Sequence, residues 1–225
     1  MKKNRRTFIK QSAMGAAGFH IVPSHVISGL GHTPPSDKLN IAGVGIGGKG
    51  RPNLQAMNTE NIVALCDVDW NYSQPVFNDF PKAKKYYDWR KMMDEMGKDI
   101  DAVMVATPDH THAGITARSL IMGKHVYCQK PLTHSIYESR LLTQLAAQYP
   151  VATQMGNQGN SGIDVREVCE WIWNGEIGEV KEVHAWTDRP IWPQGQERPG
   201  QEMSPPESFN WDLFLGPAPF RPYHS

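Results

Sequence analysis

Three observations predict an α/β fold built on a doubly wound parallel sheet. A glycine cluster, Gly43-Val44-Gly45-Ile46-Gly47-Gly48, sits between a short apolar run and a segment able to start a helix. Short apolar runs then alternate with helical segments as far as Met155. A carboxylate, Asp67, closes the second apolar run, about 20 residues beyond Gly48. Continuous apolar runs suit strands buried on both faces, and their alternation with helices suits parallel crossovers.

The first strand is expected around Leu39–Ala42, with a helix starting at Arg51-Pro52-Asn53-Leu54-Gln55-Ala56-Met57. Asn61–Cys66 reads as the second strand, followed by helices over Tyr72–Asp79 and Trp89–Gly97, the latter from the spacing of Met92, Met93 and Met96. Asp101–Ala106 is a buried strand stopped by Thr107-Pro108. His112–Met122 is helical and halts at Gly123, His125–Cys128 is a strand, Ser135–Gln148 a helix and Val151–Met155 a further strand. In such a sheet ligands bind beyond the C-terminal ends of the strands. Gly43–Gly48, Thr107–His112 and Gln129–Pro131 all fall on that edge.

A strand, a glycine turn and a helix in that order can cradle a phosphate against unpaired main-chain N–H groups. Gly43 is read as permitting the tight turn, Gly45 as admitting a pyrophosphate, with Ile46 beside it, and Gly48 as letting the helix pack on its strand. Asp67 then falls where a dinucleotide fold grips the adenosine ribose. Its charge repels a 2′-phosphate and favours NAD, while Lys49 and Arg51 leave NADP open. The structural alternative for Asp67 is a helix cap before Val68-Asp69-Trp70, a role Asp69 can fill instead.

Composition removes other classes of function. Lys plus Arg and Asp plus Glu stand at 23 each, so no net field draws the chain to nucleic acid. Cys66, Cys128 and Cys169 lack metal-ligand spacing and read as buried thiols, and no metal is expected. At the N-terminus, Asn4-Arg5-Arg6-Thr7-Phe8-Ile9-Lys10 is followed by an uncharged, mildly apolar stretch to Ser36. This pattern looks like a twin-arginine export signal and linker over 1–36, an address to the periplasm and a poor membrane span. No stable membrane insertion is expected.

Gly43-x-Gly45-x-x-Gly48, Thr107-Pro108-Asp109-His110-Thr111-His112 and Gln129-Lys130-Pro131 occur in order and at the expected strand ends. Together they resemble the Gfo/Idh/MocA oxidoreductases, and Trp186–Pro193 and Trp211–Pro217 look like segments of that family's exported bacterial branch. The resemblance implies an NAD(P)-binding Rossmann domain over 37–156 and, over 157–225, the start of a truncated α/β substrate domain. It also implies a sugar or polyol substrate and homo-oligomers in the full-length form.

By the same resemblance Lys130 is the catalytic lysine, stabilising the alkoxide that grows as hydride leaves a carbinol carbon. Pro131 aims it inward, across a peptide bond often cis in the family. Gln129 stands where the family usually has Glu; its amide can still bond a nicotinamide-ribose hydroxyl but adds no charge beside Lys130. Thr107, Pro108 and His112 resemble the segment that packs along the cofactor, with His112 either touching it or orienting the loop. His110 reads as solvated. Asn157 and Gln158, after the last strand, are candidate substrate or cofactor contacts.

Further on, Asp164–Trp173 is expected as a helix with Val165, Val168, Cys169 and Ile172 on one face, then a turn at Asn174–Gly178 and a strand over Val180–Thr187. Five of the seven tryptophans lie at or after Trp171, and an aromatic face can stack on a pyranose, so Arg189 and Trp192 are candidate saccharide contacts. The family's Asp-x-x-x-His motif has no counterpart after Lys130, so the chain reads as the N-terminal half of a longer enzyme. Three functions follow: a sugar or polyol oxidoreductase, a glycoside hydrolase that recycles bound NAD, or a non-catalytic dinucleotide-binding protein.

Overall fold

The computed structural model describes residues 37–189, 194–195, 197 and 199–224, and a compact unit begins at Leu39. The export motif and Trp192 lie outside the described residues. Six strands form one parallel sheet: β1 Asn40–Val44, β2 Asn61–Cys66, β3 Lys84–Tyr86, β4 Ala102–Val105, β5 His125–Gln129 and β6 Thr153–Gly156. Their order is β3-β2-β1-β4-β5-β6, so the winding reverses between β1 and β4. That reversal opens a crevice at the C-terminal edge.

Successive strand residues point to opposite faces, and both faces are apolar. Val103 and Val105 of β4 join one core with Met92, Ile115 and Leu142, whereas Met104 joins the other with Leu54 and Phe77. The first core is covered by α3 (Trp89–Met96), α4 (His112–Ile121) and α5 (Ile136–Gln148), the second by α1 (Gly50–Ala56) and α2 (Trp70–Asp79). Each fully buried Leu or Phe stabilises the fold by about 2–3 kcal/mol, so two opposed cores hold the sheet edge rigid under the site.

Caps fix where the helices start. Asp69 accepts a hydrogen bond from Tyr72 N at 3.0 Å and so caps α2, leaving Asp67 for other work. Ser135 and Glu138 form a reciprocal capping box at α5. Strand β3 is not foreseen in the sequence, because Lys84-Lys85-Tyr86 carries no apolar run. It is a short, lysine-bearing edge, the form that resists pairing with another chain.

Beyond β6 come α6 (Ile163–Trp173) and the turn through Gly175 and Gly178, both at positive φ. The strand expected over Val180–Thr187 does not form. Val180, Val183 and Trp186 are exposed, and the segment pairs with neither outer strand of the sheet. The expected apolar face of α6 is likewise exposed at Val165, Val168 and Ile172. The final helix, α7 (Trp211–Leu215), returns to the sheet: Asn210 N donates to Val68 O at 2.8 Å, and Ser208 O accepts from Trp70 N at 3.0 Å.

Candidate functional site

Two glycines of the first turn adopt backbone angles that favour glycine, Gly45 at φ 74° and Gly48 at φ 41°. A Cβ on Gly45 would stand 2.5 Å from Thr107 N, so only glycine lets this turn lie against the end of β4. The roles read from the sequence therefore shift by position. Gly43 lies inside β1 and makes the close helix–strand contact, since its Cβ would meet Leu54 at 3.1 Å. The tight turning falls to Gly45 and Gly48.

Ile46 N and Gly47 N converge on Asp67 Oδ2, at 2.8 and 3.0 Å, while Asp67 Oδ1 accepts from Asp69 N at 3.0 Å. Asp67 thus pins the glycine turn to the end of β2, its carboxylate oxygen standing where two of the turn's amides converge. Ile46 enters through this amide alone, since its side chain is fully buried in the core.

Above this point opens a cavity of about 760 Å³, bounded by the loops after β1, β2 and β4. Gly45, Gly48, Asp67, Thr107 and Pro108 all line it. So does Lys49, whereas Arg51 pairs with Asp79 at 2.9 Å on the outside. Arg90 reaches the same cavity but is tied to Asp88 at 2.9 Å; that hydrogen bond holds its guanidinium more firmly protonated. Burial pushes the Cys66 thiol at the end of β2 well up, keeping it neutral.

A second group of sequence-assigned residues gathers at the ends of β5 and β6. The Lys130–Pro131 peptide is cis, and Lys130 is exposed with no hydrogen-bond partner for its ammonium among the described residues. Gln129 is buried beside it, packed on Gly156, and its Nε2 has no partner. A buried, orphaned amide donor fits a ribose hydroxyl brought by a ligand. The positive-φ turn, the acid at the end of β2 and this donor fit an NAD-type dinucleotide.

His112 is a correction to a cofactor-contact reading. It is 1% exposed, with Nε2 2.7 Å from Thr107 O and Nδ1 2.7 Å from Pro131 O, so both ring nitrogens serve the backbone. Its part is to orient the loops. His110 is not solvated as expected: its Nε2 meets Phe214 O at 3.0 Å. Gln158 spends its amide on Asn53 and Tyr127, at 3.1 and 2.9 Å. Asn157 is exposed beside it, and Arg189 is exposed with its N–H on Thr187 Oγ1.

Sequence reasoning missed two parts of the site. The Tyr72 ring lies against Gly47 and Gly48, where a Cβ on Gly47 would run into it. The segment Phe209–Pro217 supplies a further wall of the cavity. Its signal was a capped helical turn: Asn210 at the N-cap, and Gly216 at φ 53° after Leu215.

The family model described as "Oxidoreductase family, NAD-binding Rossmann fold", GFO_IDH_MocA, matches residues 39–157. A glycosyl hydrolase family 109 protein of Shewanella pealeana is 24% identical over 80% of this chain and 45% of its own length. An inositol 2-dehydrogenase of Pseudarthrobacter chlorophenolicus is 24% identical over 71% of this chain and 48% of its own. Among solved structures, scyllo-inositol dehydrogenase of Lactobacillus casei with bound NAD(H) and scyllo-inositol shares the fold, with a TM-score of 0.57 at 22% identity over 63% of this chain and 43% of that one. The chain spans about half the length of these relatives.

Proposed function

The chain belongs to the Gfo/Idh/MocA oxidoreductase family, with its NAD-binding Rossmann fold, and from that premise we propose an NAD-dependent enzyme that moves hydride between nicotinamide and a carbinol carbon of a sugar or polyol. The observation that carries the reading is the meeting of Ile46 N, Gly47 N and the Asp67 carboxylate at the foot of the cavity. Asp67 takes those two amides and so holds the glycine turn against the end of β2, where a diphosphate would lie along the turn and the carboxylate would meet the adenosine ribose. Its charge disfavours a 2′-phosphate; Lys49, in the same cavity, is the residue that would admit one.

Bound NAD supplies the hydride acceptor. The protein's own part is positional and electrostatic. Gln129 Nε2 donates to a ribose hydroxyl, and His112 holds the Thr107 and Pro131 loops in register around the ring. Lys130 places its ammonium beside the reacting hydroxyl, stabilises the alkoxide and relays its proton. Arg189 and Trp192 serve the saccharide. Incubation of the enzyme with NAD and a panel of polyols and sugars tests this reading. Absorbance of NADH growing with one substrate class supports it; silence across the panel, with NAD bound, counts against it.

The Shewanella relative favours a second reading, hydrolysis of a glycoside through transient oxidation. The two separate cleanly. A dehydrogenase accumulates NADH, whereas such a hydrolase releases the aglycone and returns its cofactor unchanged. Export through the twin-arginine pathway is also part of the proposal, and a reporter fused behind residues 1–36 tests it, with Arg5→Lys/Arg6→Lys as the control.

A further inference from the structure

We infer that the strap Ser208–Pro217 forms the adenine-side wall of the dinucleotide site and sets how tightly the cofactor is retained. The inference rests on the dinucleotide reading above. The strap is fastened to both loops that flank the cavity. Toward the loop after β2, Trp70 N donates to Ser208 O at 3.0 Å and Asn210 N to Val68 O at 2.8 Å. Toward the loop after β4, His110 Nε2 donates to Phe214 O at 3.0 Å. It therefore spans the mouth of the crevice, starting one residue beyond the Asp67 carboxylate.

What the strap shows the cavity is apolar. Phe209, Leu213 and Phe214 line it, facing a site that also contains Pro108 and Ile115. Phe209 and Phe214 are locked edge to face at 5.5 Å, and Trp211 stacks on Phe214 at 5.3 Å from outside. A rigid aromatic–aliphatic wall beside a ribose-binding acid suits a flat purine, whose faces are apolar and whose stacking is stronger than an aliphatic contact. A phosphate or a sugar would find no donors on this wall. The reading places Leu213 and Phe214 on the base, with the strap as the barrier the adenosine half crosses to leave.

The test uses the full chain with two probes, NADH and AMP. AMP carries only the half of the cofactor that the strap would touch. Leu213→Ala and Phe214→Leu should raise Kd for both probes by about tenfold, the loss of roughly one good apolar or stacking contact. NADH dissociation in stopped flow should quicken by a similar factor. Leu213 is partly exposed, so its truncation leaves the fold standing if Phe214→Leu does not; thermal unfolding of each variant checks this. Wild-type Kd values for both probes in folded Leu213→Ala overturn the strap assignment while leaving the dinucleotide site intact. Failure of the unaltered protein to bind either probe overturns the dinucleotide reading itself.

Discussion

His112 Nδ1 lies 2.7 Å from the carbonyl oxygen of Pro131, and so binds the head of α4 to the turn that carries Lys130. Its Nε2 is as close to Thr107 O. One buried ring thus ties together the loops after β4 and β5.

His112→Ala should therefore cost about 2–4 kcal/mol, by orphaning two carbonyls and opening a buried gap. Urea unfolding measures the loss. The same change should lower turnover more than it weakens NAD binding, because the Lys130 turn moves while the Asp67 region does not. A loss confined to NAD affinity would contradict the orienting role.

Gly45→Ala combines a left-handed φ with a Cβ 2.5 Å from Thr107 N. We expect about 1–3 kcal/mol of lost stability and no detectable NAD binding in a fluorescence titration. Gly114→Ala, where a Cβ meets nothing within 4 Å, should leave stability close to that of the unaltered chain.

Asp67→Asn keeps the shape and removes the charge. Kd for NAD should rise about tenfold, the worth of a charged hydrogen bond in part-exposed surroundings, while NADP should bind no worse. Parallel titrations give the ratio, and an unaltered NAD-to-NADP preference would remove Asp67 from cofactor selection.

Lys130→Ala should retain NAD and slow turnover by about a hundredfold or more. Single-turnover NADH formation separates the two effects. Unchanged turnover would refute the assignment.

Burial pushes the Cys128 thiol up to about 11, against an ordinary 9.0, and pushes Cys66 up as well. Because the folded values are raised, their stabilising contribution is complete below pH 9 and is lost as pH climbs from 9 towards 11. The urea midpoint should fall over that interval, and less steeply in Cys128→Ala. A midpoint unchanged from pH 8 to pH 10.5 would contradict the burial of these thiols.

The sheet was legible wherever burial on both faces demanded an unbroken apolar run: β2 is read to the residue at Asn61–Cys66, and β4 within one residue at each end. It was illegible at β3, where an edge strand of Lys84-Lys85-Tyr86 needs charge more than hydrophobicity. Val180–Thr187 was over-read for the converse reason, since an apolar pattern becomes a strand only when it pairs, and here Val180, Val183 and Trp186 stay exposed. Within the site, spacing identified the glycine turn and Asp67, because the turn and the acid are fixed by local backbone. The partner of His110 and the placement of the strap depended on contacts across about a hundred residues of chain, which no local pattern encodes.

The central claim is that the glycine turn and Asp67 hold a dinucleotide. Titration of NADH into the purified chain, followed by fluorescence and reversed with AMP, tests it most directly. Saturable binding below millimolar concentrations, displaced by AMP and weakened by Asp67→Asn, is the predicted result. Absence of binding by both NADH and NADPH at millimolar concentrations would contradict it.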